Sequence, residues 1–155
     1  MRRKEREITS IEDIESIISH ADVCRVAFAD GNDPYIVTLN FGYSGGKEKK
    51  IYFHCASEGK KLEMIRKNNY VCFEMDIDHN LHTGKNACDC GMSFRSVVGW
   101  GRIWVLTDDE EKKSGLDLIM SHYSREKNFS YDHNTLDRTL LLRLDILKIT
   151  GKNSI

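Results

Sequence analysis

Hydrophobic positions change their period several times along the chain, and each change marks an element. Ile11, Ile14, Ile17 and Ile18 recur at three- and four-residue intervals, the stripe of an amphipathic helix. Thr9-Ser10-Ile11-Glu12 in front of them has the spacing in which a Thr and a Glu satisfy each other's end of an opening turn. This helix is expected to end near Ala21. From Val23 to Ala29 the pattern reads as a strand, and Asp30-Gly31-Asn32-Asp33-Pro34 is a turn sequence. Residues 35–43 then alternate with Tyr35, Val37, Leu39 and Phe41 on one face, so a hairpin is predicted. Ser44-Gly45-Gly46 makes another turn, and residues 51–55 a third strand. A short helix from about Lys60 to Asn68, with Leu62, Met64 and Ile65 inward, precedes a strand over 70–77. Residues 78–92 read as a polar loop, and 94–106 as a long strand in which Gly99 and Gly101 mark a bulge or a barrel corner. Thr107-Asp108-Asp109-Glu110 opens a helix through about Ser124 that should bury Leu116, Ile119, Met120 and Tyr123, and a final strand covers 140–149.

The links among the first three strands are too short for a parallel return, which takes a dozen residues or more. The expected fold is therefore mainly β, a six-stranded antiparallel barrel with peripheral helices, and not a doubly wound sheet. With 155 residues, 40% of them apolar, and no Pro/Gly/Ser-rich linker, residues 1–155 should form a single domain. Lys+Arg number 23 against 24 Asp+Glu, so no overall charge draws the chain to nucleic acid or to an acidic membrane. Apolar runs such as Leu140-Leu141-Leu142 fall far short of the roughly 20 residues that span a bilayer. The basic start, Met1 to Arg6, leads into an acidic amphipathic segment rather than an apolar signal region, and five cysteines, an odd number, suit a reduced interior. A cytoplasmic protein is expected, with Cys24, Cys55 and Cys72 as small core residues.

The most informative chemistry lies in Ile51-Tyr-Phe-His-Cys-Ala-Ser-Glu-Gly-Lys-Lys-Leu62, a strand passing through a Gly-containing turn into a helix. A helix N-terminus exposes unpaired amides and a partial positive charge, so lysines in its first turn are misplaced unless something negative sits there. Lys60 and Lys61 occupy that turn. Either both face water, or they converge with the backbone amides and the Ser57 hydroxyl on a phosphate, with His54 nearby. Gly42-Tyr-Ser-Gly-Gly-Lys47 fails the phosphate-loop spacing and has Glu48 where a Ser or Thr is required, so it is a turn. No G-x-G-x-x-G opens a helix after a strand, which excludes a Rossmann nicotinamide domain. His79, His82, Cys88 and Cys90 are a second candidate set, for zinc, although C-x-C is a tight bite for a structural site; the alternative is a polar loop with solvated histidines.

Four runs together resemble a known family: Pro34-Tyr-Ile-Val-Thr-Leu-Asn-Phe-Gly-Tyr43, the stretch from Ile51 to Lys61, Val71-Cys-Phe-Glu-Met-Asp76, and Phe94-Arg-Ser-Val-Val-Gly-Trp-Gly-Arg102. In order and over nearly the whole chain they are similar to the nitroimidazole-resistance (Nim) branch of the pyridoxamine 5'-phosphate oxidase-like flavoproteins. The resemblance implies an FMN-binding split barrel with Greek-key connections that works as a homodimer, flavin lying at the subunit interface. It implies that Val37, Thr38, Leu39 and Asn40 line the isoalloxazine ring with backbone groups. His54, Lys60 and Lys61 would hold the phosphate end, and Arg95, Ser96 and Val97 would complete the pocket. His54 would also be the catalytic candidate, donating a hydrogen bond or proton to a reduced group, with a purely structural role as the alternative. The Cys88-Asp89-Cys90-Gly91 segment departs from the family pattern, in which an aromatic residue is more usual at position 90.

Two functions follow from such a pocket. One is a flavin-dependent reductase of small oxidised molecules such as nitroheterocycles, in which the cofactor supplies the redox chemistry and the protein positions it. The other is a non-catalytic flavin carrier or stress protein. A zinc-stabilised interaction domain is a third. Trp100, Trp104 and Tyr43 are either barrel core or the cover of a twofold contact.

Overall fold

A computed structural model describes residues 3–126, 128–132, 136 and 138–154. In chain order these residues form β1 (Glu7–Ile8), α1 (Ile11–His20), β2 (Cys24–Asp30), β3 (Asp33–Leu39), β4 (Gly42–Ser44), β5 (Lys50–Cys55), α2 (Lys60–Lys67), β6 (Tyr70–His82), β7 (Gly91–Val105), α3 (Asp109–Tyr123) and β8 (Leu140–Ser154). All strand pairs are antiparallel, and the sheet runs β3-β2-β6-β7-β8-β5-β4, with β1 added beside β8. This is the expected antiparallel fold, with eight strands in place of six: a two-residue β1 is new, and the strand expected over 35–43 breaks into β3 and β4.

That break shapes the molecule. β3 and β4 are the two ends of the sheet, yet only Asn40 and Phe41 separate them in the chain. Three virtual bonds reach at most about 11 Å, so the sheet must curl until its edges nearly meet. They do not pair, and the barrel stays split. The break is pinned from outside by Tyr123, whose hydroxyl accepts from the Phe41 amide at 3.1 Å and donates to the Asp22 carbonyl at 2.8 Å, while the Phe41 side chain is fully buried.

The barrel interior is filled by alternate residues of each strand: Val26 and Phe28, Ile51 and Phe53, Phe73 and Met75, Val97 and Ile103, Leu142 and Leu144, all at most 1% exposed. α1 closes one side with Ile14, Ile17 and Ile18, and α2 adds Leu62, Met64 and Ile65 to the same core. α3 lies on the outer face over Tyr52 and Leu141. Gly99 and Gly101 act as expected. A Cβ at 99 would strike the Phe73 ring, one at 101 the Asp145 carbonyl, and the β7–β8 register slips between Trp100 and Gly101.

Several local expectations shift. Ser10, not Thr9, caps α1 by accepting from the Asp13 amide, and Asp108, not Thr107, caps α3 by accepting from the Glu111 amide. Each site offers two capping side chains in succession, and the second is used. Ile11 lies partly exposed at the helix start instead of on the buried stripe. In α3 the buried face is turned toward Gly115 and Ile119, leaving Met120 and Tyr123 exposed, because the missing side chain at 115 lets the helix settle on Tyr52 and Leu141. The polar segment 78–92 is not a loop throughout: β6 and β7 continue as a two-stranded arm to His82 and Gly91, joined by a turn of 3-10 helix over Ala87–Asp89. No helix among the described residues is long and apolar enough to cross a membrane.

Candidate functional site

The split of the barrel is where the sequence-predicted residues gather. β4 pairs with β5 only as far as Tyr52, so the rest of β5 faces the gap, and the chain turns there into α2. Gly59 makes the turn with φ +130°, a conformation that side chains rarely adopt, and it gives α2 no side-chain cap. No side chain accepts from the first amides of α2, and Ser57 before them is exposed. Lys60 reaches across the gap to β3. Its ammonium lies 3.1 Å from an Asp33 carboxylate oxygen and 5.0 Å from the centre of the Tyr35 ring. Lys60 is half-exposed and is partly neutralised by its own chain. Lys61 is half-buried, has no carboxylate partner among the described residues, and lies close enough to the Cys55 thiol to oppose the upward pKa shift that burial imposes on it.

His54 follows the buried Phe53 on β5 and is exposed on the outer face, opposite Leu141 of β8. On β3, Val37 and Leu39 turn inward against the core while Thr38 and Asn40 are exposed. As an end strand, β3 has no neighbour on its outer side, so it offers unpaired backbone donors and acceptors along residues 37–39. Edge strand, uncapped helix start, Ser57, His54 and Lys61 thus fit a ligand with a polar planar edge and an anionic tail.

Arg95, Ser96 and Val97 are elsewhere. Val97 pairs with Gly151 of β8, whereas His54 pairs with Leu141. These positions are separated along β8 by roughly 33 Å of strand at about 3.3 Å per residue. Arg95 is held by Asp78 at 2.6 Å, Ser96 is nearly buried, and the Val97 side chain is in the core, so that only its backbone could touch a ligand. The zinc candidates also fail to converge. His79 bonds Asp76 and His82 bonds Ser93, both at 2.9 Å, while Cys88 and Cys90 sit at the arm's tip; no metal-holding group of His, Cys, Asp or Glu forms among the described residues. The described cysteines are all free thiols.

Two features escaped the sequence reading. Arg25 of β2 is bound by Glu74 at 3.0 Å and by Asp76 at 2.6 Å on the outer face. Burial and the neighbouring Asp76 push the Glu74 carboxyl up; at Asp76 burial acts the same way but is outweighed by Arg25 and His79, which hold its pKa low. Beside this cluster a rung crosses five strands: Ile36, Ala27, Cys72, Trp100 and Lys148 are successive cross-strand partners. Ile36 is 65% exposed, so the rung begins as open apolar surface. Alternation within a strand fixes which face each residue takes, but only the pairing register brings these residues side by side.

Comparison with known proteins agrees with the fold. Residues 10–153 match the family model described as pyridoxamine 5'-phosphate oxidase. Among solved structures, a candidate 5-nitroimidazole antibiotic resistance protein from Bacteroides thetaiotaomicron is 34% identical, with TM-score 0.83, covering 95% of this chain and 86% of its own. An FAD and heme binding protein from Mycobacterium smegmatis shares the fold at TM-score 0.82 and 16% identity, covering 96% of this chain and 73% of its own. An FAD-binding protein from Mesorhizobium loti shares it at TM-score 0.69 and 22% identity, covering 97% and 98%. No curated protein matches.

Proposed function

The chain belongs to the pyridoxamine 5'-phosphate oxidase family, and from that premise we propose that it is an FMN-dependent reductase of small oxidised molecules, 5-nitroimidazoles among them. The observation that carries this reading is the β5–α2 corner, where an uncapped helix start and the half-buried Lys61 lack a negative partner among the described residues. A phosphate monoester supplies one. Lys61, the first α2 amides and the Ser57 hydroxyl would bind it, and Lys60 would contribute what Asp33 leaves of its charge. The free edge of β3 at residues 37–40 would hydrogen-bond the ring. When bound, FMN supplies the redox chemistry, taking up a hydride equivalent and passing electrons on. His54, exposed beside the corner, would hold a proton at a ring nitrogen for the molecule being reduced.

The separation of Arg95–Val97 from the corner supports a homodimer. Within one chain the two parts of the predicted pocket are too far apart along β8 to touch one ring, whereas a twofold axis can set the β7 segment of one copy against the corner of the other. The open rung from Ile36 to Trp100 offers apolar surface for such a contact. The free thiols suit a reducing, cytoplasmic setting. The test is anaerobic. FMN-loaded protein should bleach on addition of NADH or NADPH and recover its flavin absorbance when metronidazole is added. Bleaching without acceptor-dependent recovery would make the protein a flavin carrier instead.

A further inference from the structure

Away from the corner, the C-terminal end of α2 and the last third of β7 enclose a second hollow of about 370 Å³. Of the aliphatic residues that line it, Ile65 and Ile103 belong to the buried core and only Val105 is substantially exposed. One wall is the indole of Trp104, 44% exposed. Arg102, two residues earlier on the same strand, and Arg66 and Lys67 of α2 also line it. Their charges are unequally answered. Lys67 is paired with Asp30. Arg102 has no carboxylate partner among the described residues; one of its nitrogens donates to the Asn69 side-chain oxygen at 2.8 Å, and its guanidinium lies over the Tyr70 ring at 5.9 Å. Arg66 has no ion-pair or hydrogen-bond partner among the described residues. The bond to Asn69 orients Arg102 and leaves its other N–H groups, with the Asn69 amide N–H, for a ligand.

We propose that this groove binds a nucleoside monophosphate group, its purine stacked on Trp104 and its phosphate held by Arg66 and Arg102. The reasons are chemical. An indole exposed as Trp104 is takes a flat heteroaromatic ring and gains little from a small ion. Two guanidinium groups without carboxylates suit a phosphate, which they grip in bidentate fashion. The volume is within the usual span of small-molecule sites, roughly 300 to 1,000 Å³. α2 has eight residues, so its two ends are about 12 Å apart and the groove is separate from the β5–α2 corner. Such a group could arrive free, as the adenylate half of FAD, or as the adenylate half of a nicotinamide dinucleotide.

The experiment is a calorimetric titration of the FMN-loaded protein with 5'-AMP, adenosine and inorganic phosphate, on the wild type, Trp104→Leu and Arg66→Gln/Arg102→Gln. The expected result is saturable AMP binding, weaker by about tenfold or more in each variant, with adenosine and phosphate both weaker than AMP and FMN affinity unchanged. Absence of saturable AMP binding at millimolar concentration, or equal AMP affinity in all three proteins, overturns the proposal. The source is then read from the double variant. A loss of FAD affinity with FMN affinity intact identifies the flavin dinucleotide, a raised KM for NADPH identifies the electron donor, and a change in neither leaves the free nucleotide as ligand. Should the protein bind AMP as described but no FMN, the flavin reading fails and the groove stands.

Discussion

Lys61 is the side chain on which the cofactor assignment rests, because its neighbour Lys60 already has Asp33. Replacing Lys61 by Ala should therefore raise the Kd for FMN by about ten- to a hundredfold, the loss of one charge-assisted bond of about 1.5–3 kcal/mol. Lys60→Ala should cost less. Flavin fluorescence quenching measures both, and unchanged affinity in the Lys61 variant would contradict the phosphate site. The two lysines were legible in the sequence because helix-start electrostatics is a local matter. Asp33 was not, since only the curl of the barrel brings the β2–β3 turn to α2. A second residue-scale prediction concerns Asp76, whose pKa is held below the ordinary value although burial works against it. Its pairing with Arg25 and His79 thus stabilises the fold fully above the unfolded-state value, about 3.9, and is lost as pH falls through the lower folded value. Asp76→Asn should lower stability by about 1 kcal/mol at neutral pH, with the difference from wild type shrinking below about pH 4. Urea midpoints across pH 3 to 7 check this, and a deficit that grows on acidification would contradict it.

At the scale of elements, the periodicities located all three helices and the six main strands, because an apolar stripe repeats locally. What they missed depends on contacts between distant segments. The break between β3 and β4 has no glycine or proline at Asn40–Phe41 to announce it, and it is fixed by Tyr123 from α3. The buried face of α3 likewise follows from two glycines. Besides Gly115, Gly42 lies so close beneath the helix that a Cβ there would come within 2.4 Å of the Ile119 amide nitrogen. Gly42→Ala must lift α3 from β4 and should cost about 1–3 kcal/mol. Gly59→Ala meets no neighbour but must hold φ +130°, so a similar cost there comes from backbone strain alone. Denaturant unfolding measures both. An amide-exchange map separates them: protection should fall in α3 for the first variant and at the start of α2 for the second.

For the whole molecule, the family resemblance reached further than residue patterns could. Alternation predicts strands, but it does not say that an antiparallel sheet curls into a barrel whose seam remains open, nor that the predicted pocket is divided between the seam and a distant part of β7. The homodimer proposed above, which would reunite those parts, should form through the open rung. Ile36→Asp is therefore expected to shift sedimentation from dimer toward monomer and to weaken FMN binding in parallel, whereas a variant that stays dimeric with full affinity would place the contact elsewhere. A crystal structure of the protein saturated with FMN tests the phosphate site and the shared pocket together. The phosphate is expected at Lys61, Ser57 and the first amides of α2 in one copy, with Ser96 of a second copy beside the same ring. A flavin bound elsewhere, or a corner that holds no anion, would contradict it.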